Sequence, residues 1–77
     1  MVLLELSKND ISNIDILEEV NFKELKELYL SNNKLSDIKF LEKLKFEKLE
    51  LLNLRDNKID VKKSNLIISK MKSILEI

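Results

Sequence analysis

The chain has 77 residues, and its 14 basic and 14 acidic side chains give a formal net charge of zero. Because cysteine and histidine are both absent, the composition excludes disulfides, thiol catalysis, histidine general bases and the usual zinc sites. A hydrophobic fraction of 44% beside a charged fraction of 36% is typical of a small globular domain. We therefore expect a single domain over residues 1–77, with no cofactor and no metal.

The sequence repeats itself every 24 residues, starting with three short segments that alternate apolar and polar side chains as half-buried strands do. The aligned positions are Leu4, Leu28 and Leu52, then Leu6, Leu30 and Leu54, then Asn9, Asn33 and Asn57. Residues 40–52 could alone form an amphipathic helix, but the recurring asparagines favour the repeat. We expect repeats over about 1–24, 25–48 and 49–61, with leucines pointing inward from a short parallel sheet.

The last part of the chain departs from this pattern after Ile59. Ser64 is a candidate helix N-cap, and apolar residues follow it at helical spacing. The predicted stripe consists of Leu66 or Ile67, then Ile68, Met71, Ile74 and Leu75. We expect a capping segment over residues 62–77 that contains this helix.

The first repeat has no comparable cap at its own end. Its apolar residues would leave one edge of the core open to water, and terminal repeats normally need a polar cap. The residues concerned are Val2, Leu4, Leu6, Ile14 and Leu17. We expect a partner subunit, a second copy or a longer parent chain to cover this edge.

The motif L-x-x-L-x-L-x-x-N-x-[LI] resembles the leucine-rich repeat family, and residues 62–77 resemble the C-terminal caps of mRNA-export and spliceosomal members. The resemblance implies an α/β repeat fold, a right-handed solenoid with a short parallel sheet on its concave face and a C-terminal capping helix. A last strand would follow at residues 73–77. It also implies that Asn9, Asn33 and Asn57 form an internal ladder, bonding backbone groups. Since the chain lacks glycine, asparagine and aspartate should occupy the tight turns.

The concave strand positions are the usual binding surface of this family, so the resemblance implies a partner-binding face. Its residues would be Leu3, Glu5, Glu27, Tyr29, Leu51, Asn53 and Arg55. Tyr29, the only tyrosine, would lie at the centre as an interaction hot spot. The alternative is that Tyr29 is present because tyrosine favours strands.

Charge is distributed unevenly, since residues 1–24 carry two basic against six acidic side chains. Several lysines in the later part could converge into a ridge that contacts phosphates, without sequence readout. They are Lys39, Lys43, Lys45, Lys62, Lys63, Lys70 and Lys72. The alternative is an ordinary solvated face, because glutamates are interleaved among them.

No residue set favours catalysis, since the serines lack a base and no glycine loop is present to bind phosphate or calcium. We expect a non-catalytic protein-interaction module, a small structural or adaptor subunit of a larger assembly. One alternative is a structural component of a ribonucleoprotein particle, ribosome-associated, that contacts RNA phosphates through the lysines. Another is a capped fragment of a longer receptor or regulator. We expect no membrane or small-molecule partner and an intracellular location, cytoplasmic or nuclear.

Overall fold

The computed structural model of this chain describes residues 2–12, 22–44 and 46–77. The predictions made for Ile14, Leu17 and Lys45 lie outside these residues. In chain order the elements are β1 (Leu3–Glu5), β2 (Glu27–Tyr29), α1 (Phe40–Lys43), β3 (Leu51–Asn53), α2 (Asn65–Lys70) and β4 (Leu75–Glu76). Neither described helix has the length and apolar character needed to cross a membrane.

The four strands form one parallel sheet in the order β1-β2-β3-β4. Leu28 of β2 is paired with Leu4 on one side and with Leu52 on the other. The repeat interval therefore sets the strand register directly, because each coil returns the chain to the same position one strand further along. Leu75 of β4 continues the row beside Leu52. The predicted α/β solenoid with a short parallel sheet and a C-terminal helix is confirmed.

The core lies between the sheet and the segments that return the chain to it. Alternate strand residues point to the same side of a sheet, so the paired leucines meet the apolar residues of the loops and helices there. The buried set is Phe22, Leu25, Leu28, Leu30, Leu35, Ile38, Phe40, Leu41, Leu44, Leu52, Leu54 and Ile67. Leu4 and Leu6 are only partly buried, since in the described part of the chain β1 is paired with β2 alone.

The turn after each repeat strand uses a left-handed residue in place of glycine. Lys8, Asn32 and Asp56 occupy the same position in successive coils, with φ of 61°, 54° and 59°. Asparagine and aspartate tolerate this conformation, as the sequence predicts. The lysine of the first coil is the exception, and stacking against the second coil, where Lys8 N donates to Ser31 O at 3.0 Å, holds it there.

The capping helix begins as predicted, but the side chain that makes capping bonds lies one turn earlier. Ser64 occupies the N-cap position of α2, yet its hydroxyl makes no capping hydrogen bond. The turn before it is already helical, because Ser64 N donates to Asp60 O at 3.0 Å. Asp60 Oδ1 accepts hydrogen bonds from the backbone N–H groups of Lys62 and Lys63, both at 3.2 Å. Asp60 thus caps the turn that leads into α2, whereas Ser64 occupies the N-cap position of α2 without a side-chain bond.

The structure shows which of Leu66 and Ile67 belongs to the apolar stripe of α2. Ile67 is 5% exposed and belongs to the core, whereas Leu66 is 72% exposed. Ile68 and Met71 pack against the core as partly buried residues. The helix therefore closes the end of the core with Ile67, and Leu66 faces outward.

Candidate functional site

The face of the sheet that points away from the core presents side chains in ordered rows. The register places Leu3, Glu27 and Leu51 side by side, and next to them Glu5, Tyr29 and Asn53. We call this surface the concave face, and it consists of Leu3, Glu5, Glu27, Tyr29, Leu51, Asn53, Arg55 and Glu76. Sequence reasoning missed Glu76, which extends the second row because it is paired with Asn53. The strand predicted at residues 73–77 could have indicated Glu76. The sequence repeat, however, did not specify how that strand is aligned with β3.

Tyr29 lies at the centre of the concave face and is partly buried there. Its hydroxyl donates a hydrogen bond to Glu27 Oε1 at 2.5 Å. This bond, together with partial burial and the negative charges of Glu27, Glu5 and Glu76, raises the pKa of the Tyr29 phenol above its usual value. The phenol is therefore neutral at physiological pH, and its hydroxyl is held in one direction.

Polar side chains at the strand ends are fixed by their neighbours. Glu5 Oε1 accepts a hydrogen bond from Ser7 N at 2.7 Å, and Ser31 Oγ donates to Ser7 Oγ at 2.9 Å. Hydrogen bonds from the Ser7 side chain and backbone lower the pKa of the Glu5 carboxyl. Asn53 Oδ1 accepts a hydrogen bond from Arg55 N at 3.0 Å. These contacts arrange the concave face before any partner arrives.

The first row adds apolar surface to this polar arrangement. The side chain of Leu3 is 49% exposed, and that of Leu51 is partly exposed two strands away. Val2, which immediately precedes β1, is 55% exposed. The concave face therefore exposes apolar side chains next to the Tyr29 ring and the ordered polar groups.

Asn33 bonds two coils together from inside the turn. The residue is 7% exposed, and its Nδ2 donates hydrogen bonds to Leu6 O and Leu30 O, both at 3.0 Å. Its Oδ1 accepts hydrogen bonds from Asn9 N at 2.9 Å and from Ile11 N at 3.0 Å. One carboxamide therefore satisfies backbone groups of the first coil and of its own coil, which makes Asn33 a structural residue.

The other two asparagines occupy the equivalent positions with different surroundings. Asn57 Nδ2 donates to Leu30 O at 2.9 Å, and its Oδ1 accepts a hydrogen bond from Leu35 N at 3.0 Å, so it joins the second and third coils. Asn9 is exposed, and its Nδ2 donates within its own turn, to Leu6 O at 2.8 Å. The hydrogen bonds recorded for Asn9 Nδ2 thus stay within one coil, whereas Asn33 and Asn57 bridge two.

The lysines of the phosphate hypothesis are exposed wherever the structure describes them. Lys39 and Lys43 lie at the two ends of α1, Lys62 and Lys63 in the turn before α2, and Lys70 and Lys72 at and after its end. A shallow depression of about 380 Å³ is lined by Leu41, Glu42, Leu44, Phe46, Lys70 and Met71. Lys70 therefore shares its surroundings with a carboxylate of α1. Lys48 is paired with Glu24 at 2.9 Å, so acidic groups are interleaved with this surface.

A second depression, of about 420 Å³, lies at the carboxyl ends of the strands. It is lined by Asp10, Asn32, Asn33, Lys34, Asp56 and Lys58. Lys34 Nζ lies 3.8 Å from Asp10 Oδ1, and both side chains are largely exposed. Among the described residues there is no group of three or more acidic side chains placed to hold a metal ion.

The chain matches the model of one known protein family, Leucine Rich repeats (2 copies). The model matches residues 2–43 and again residues 23–67. The two matches overlap and together cover β1 to β3, α1 and the first part of α2. No curated protein and no solved structure matches the chain.

Proposed function

Because the chain belongs to the leucine-rich repeat family, whose repeats generally mediate protein–protein interaction, we propose that its concave face docks a protein partner. In this proposal the chain is a small structural or adaptor subunit of a larger assembly and performs no catalysis itself. The likeness of its capping segment to the caps of mRNA-export and spliceosomal members belongs to the same proposal. This likeness is supported by the order of elements, in which α2 is followed by β4 at the edge of the sheet.

The observation that carries the proposal is the position of Tyr29. The ring lies in the middle of a row that runs across all four strands, and its hydroxyl is already bonded to Glu27. Tyrosines are enriched among the residues that dominate binding energy at protein interfaces. A side chain that is held in place before binding loses less conformational freedom when the partner arrives. Tyr29 therefore has both the chemistry and the preorganisation of an anchor residue.

Leu3 and Leu51 support the proposal by adding apolar surface beside this anchor. They lie in the adjacent row, one on each side of Glu27. An interface that combines an apolar centre with a polar surround is the usual arrangement for specific protein contacts. The exposed apolar side chains are then explained by the partner that covers them.

Site-specific photo-cross-linking tests this proposal. A photoreactive phenylalanine derivative is placed at Tyr29 in one version of the chain and at Leu66 in another. Leu66 is the matched control because it is 72% exposed on α2 and points away from the concave face. Both proteins are irradiated in extract from the source cell, and the adducts are identified by mass spectrometry.

The proposal predicts a discrete protein adduct at position 29 that is weaker or absent at position 66. Excess unlabelled chain should compete with this adduct, whereas an unlabelled Tyr29→Ala chain, which lacks the anchor ring, should compete poorly. Equal adducts at the two positions, or adducts at position 66 alone, would contradict docking on the concave face. Circular dichroism of both versions shows whether each retains the fold.

A further inference from the structure

The charges of the concave face indicate what kind of partner it accepts. Resting on the proposed function, we infer that the partner presents a basic extended segment, in which two cationic side chains four residues apart flank an apolar one.

Carboxylates surround the centre of the face. Glu27 lies in the first row, and Glu5 and Glu76 lie at the two ends of the second row, with Tyr29 between them. The negative charges that act on the Tyr29 hydroxyl come from these three glutamates. Arg55 is the one basic residue of the concave face, and the three glutamates outnumber it, so the net charge around the ring is negative. This charge favours an approaching cation and repels phosphate or an acidic segment.

Two of the three carboxylates accept hydrogen bonds from uncharged donors. Glu27 accepts from the Tyr29 hydroxyl, and Glu5 accepts from Ser7 N. Each carboxylate keeps its full charge in such a bond and retains lone pairs that an arginine or lysine can bind. The face of the Tyr29 ring offers a further favourable contact to a cation or an apolar side chain.

The spacing of the glutamates defines the segment. Neighbouring strands lie about 4.8 Å apart, so Glu5 on β1 and Glu76 on β4 are separated by roughly 14 Å across three strand intervals. In an extended peptide, residues i, i+2 and i+4 share one side, and i and i+4 are about 13 Å apart. A peptide lying across the strands would bring its two outer side chains to Glu5 and Glu76, and its central one to the region between Tyr29 and Asn53.

A matched pair of peptides tests the inference on the intact chain. The probe is Arg-Ser-Leu-Ser-Arg with blocked ends, and its control carries citrulline in place of both arginines, which keeps the shape and removes the charge. Binding is followed by amide NMR shifts of the isotope-labelled protein. The variant is Glu27→Gln with Glu76→Gln, which leaves Glu5 and its bond to Ser7 intact. The control variant is Glu42→Gln with Glu47→Gln, which removes the same charge from exposed positions elsewhere.

We expect the arginine peptide to shift amides of all four strands. The citrulline peptide should bind at least about threefold more weakly, in keeping with exposed charge pairs. The Glu27/Glu76 variant should weaken the arginine peptide by about threefold to tenfold, and the control variant by less than about twofold. Equal binding of the two peptides, equal effects of the two variants, or shifts confined to α1 and α2 would overturn the inference.

The inference and the proposed function fail in different ways. If the partner segment cross-linked at position 29 is neutral or acidic, the docking proposal stands and the basic-segment inference is overturned. If position 29 forms no adduct, the docking proposal falls, while the peptide titration still reports whether the face binds cationic segments.

Discussion

Replacement of Asn33 by alanine removes the carboxamide that joins the first two coils. The side chain makes four bonds of 2.9 to 3.0 Å, donating to Leu6 O and Leu30 O and accepting from Asn9 N and Ile11 N. A longer bond of 3.2 Å to Ser31 O stays within its own turn. Alanine leaves all four backbone groups without this partner. Because Asn33 is 7% exposed and its bond to Leu30 O is buried, water reaches that carbonyl group poorly after the substitution.

The expected loss is a large part of the stability of the chain. An intramolecular hydrogen bond contributes about 1 kcal/mol net, so four bonds amount to roughly 4 kcal/mol. Three of the four are only part-buried, and water can partly replace them, so we expect Asn33→Ala to lower the free energy of unfolding by about 3 kcal/mol. A chain of 77 residues has a total stability of roughly 4 to 12 kcal/mol.

Urea unfolding followed by circular dichroism measures this loss. Asn9→Ala is the matched control, because Asn9 is exposed and, within the described part of the chain, its side-chain amide donates to Leu6 O and Ser7 O of its own turn. We expect the control to lose less than about 1 kcal/mol. Equal losses in the two variants, within about 0.5 kcal/mol, would refute the view that Asn33 stabilises the stack by bridging coils.

Three further substitutions follow from the same contacts. Leu28→Ala should lower the free energy of unfolding by about 2 to 5 kcal/mol, because Leu28 is fully buried. Its control, Leu66→Ala on the exposed side of α2, should change the free energy of unfolding by less than about 0.5 kcal/mol. Urea unfolding measures both. Glu27→Gln should lower the raised pKa of Tyr29, as followed by the ultraviolet absorbance of tyrosinate. A raised pKa means that the folded chain favours the neutral phenol, so this contribution to stability is complete below the unfolded pKa of about 10 and is lost as pH rises through the folded pKa. Asp60→Ala should cost about 1 kcal/mol, while Asp60→Asn, which keeps the accepting oxygen, should cost little, and thermal unfolding distinguishes the two.

The architecture could be predicted from the sequence repeat because the length of the repeat determines the register of the sheet. Leu4, Leu28 and Leu52 recur at one interval, and coils of equal length place them in adjacent strands. The same argument predicted which strand side chains point outward. It could not predict the position of Glu76, since the capping segment has a different length and its register depends on how α2 packs.

Details that depend on side-chain direction were less predictable. Ser64 and Asp60 are both good capping residues, and only the turn geometry shows that Asp60 makes the bonds. The bond between Tyr29 and Glu27 depends on the rotamers of two flexible side chains. Lys8 takes a left-handed conformation that its residue type disfavours, because stacking on the next coil outweighs local preference.

The most direct test of the account is to map the bound partner on the surface of the chain. Once cross-linking has identified the partner, amide NMR shifts of the labelled chain are recorded with and without it. The account predicts the largest shifts in β2 and β3, at Glu27–Tyr29 and Leu51–Asn53, with small shifts in α1 and α2. Largest shifts at Phe40–Lys43 and Asn65–Lys70, with the strands unaffected, would contradict the assignment of the concave face as the binding surface.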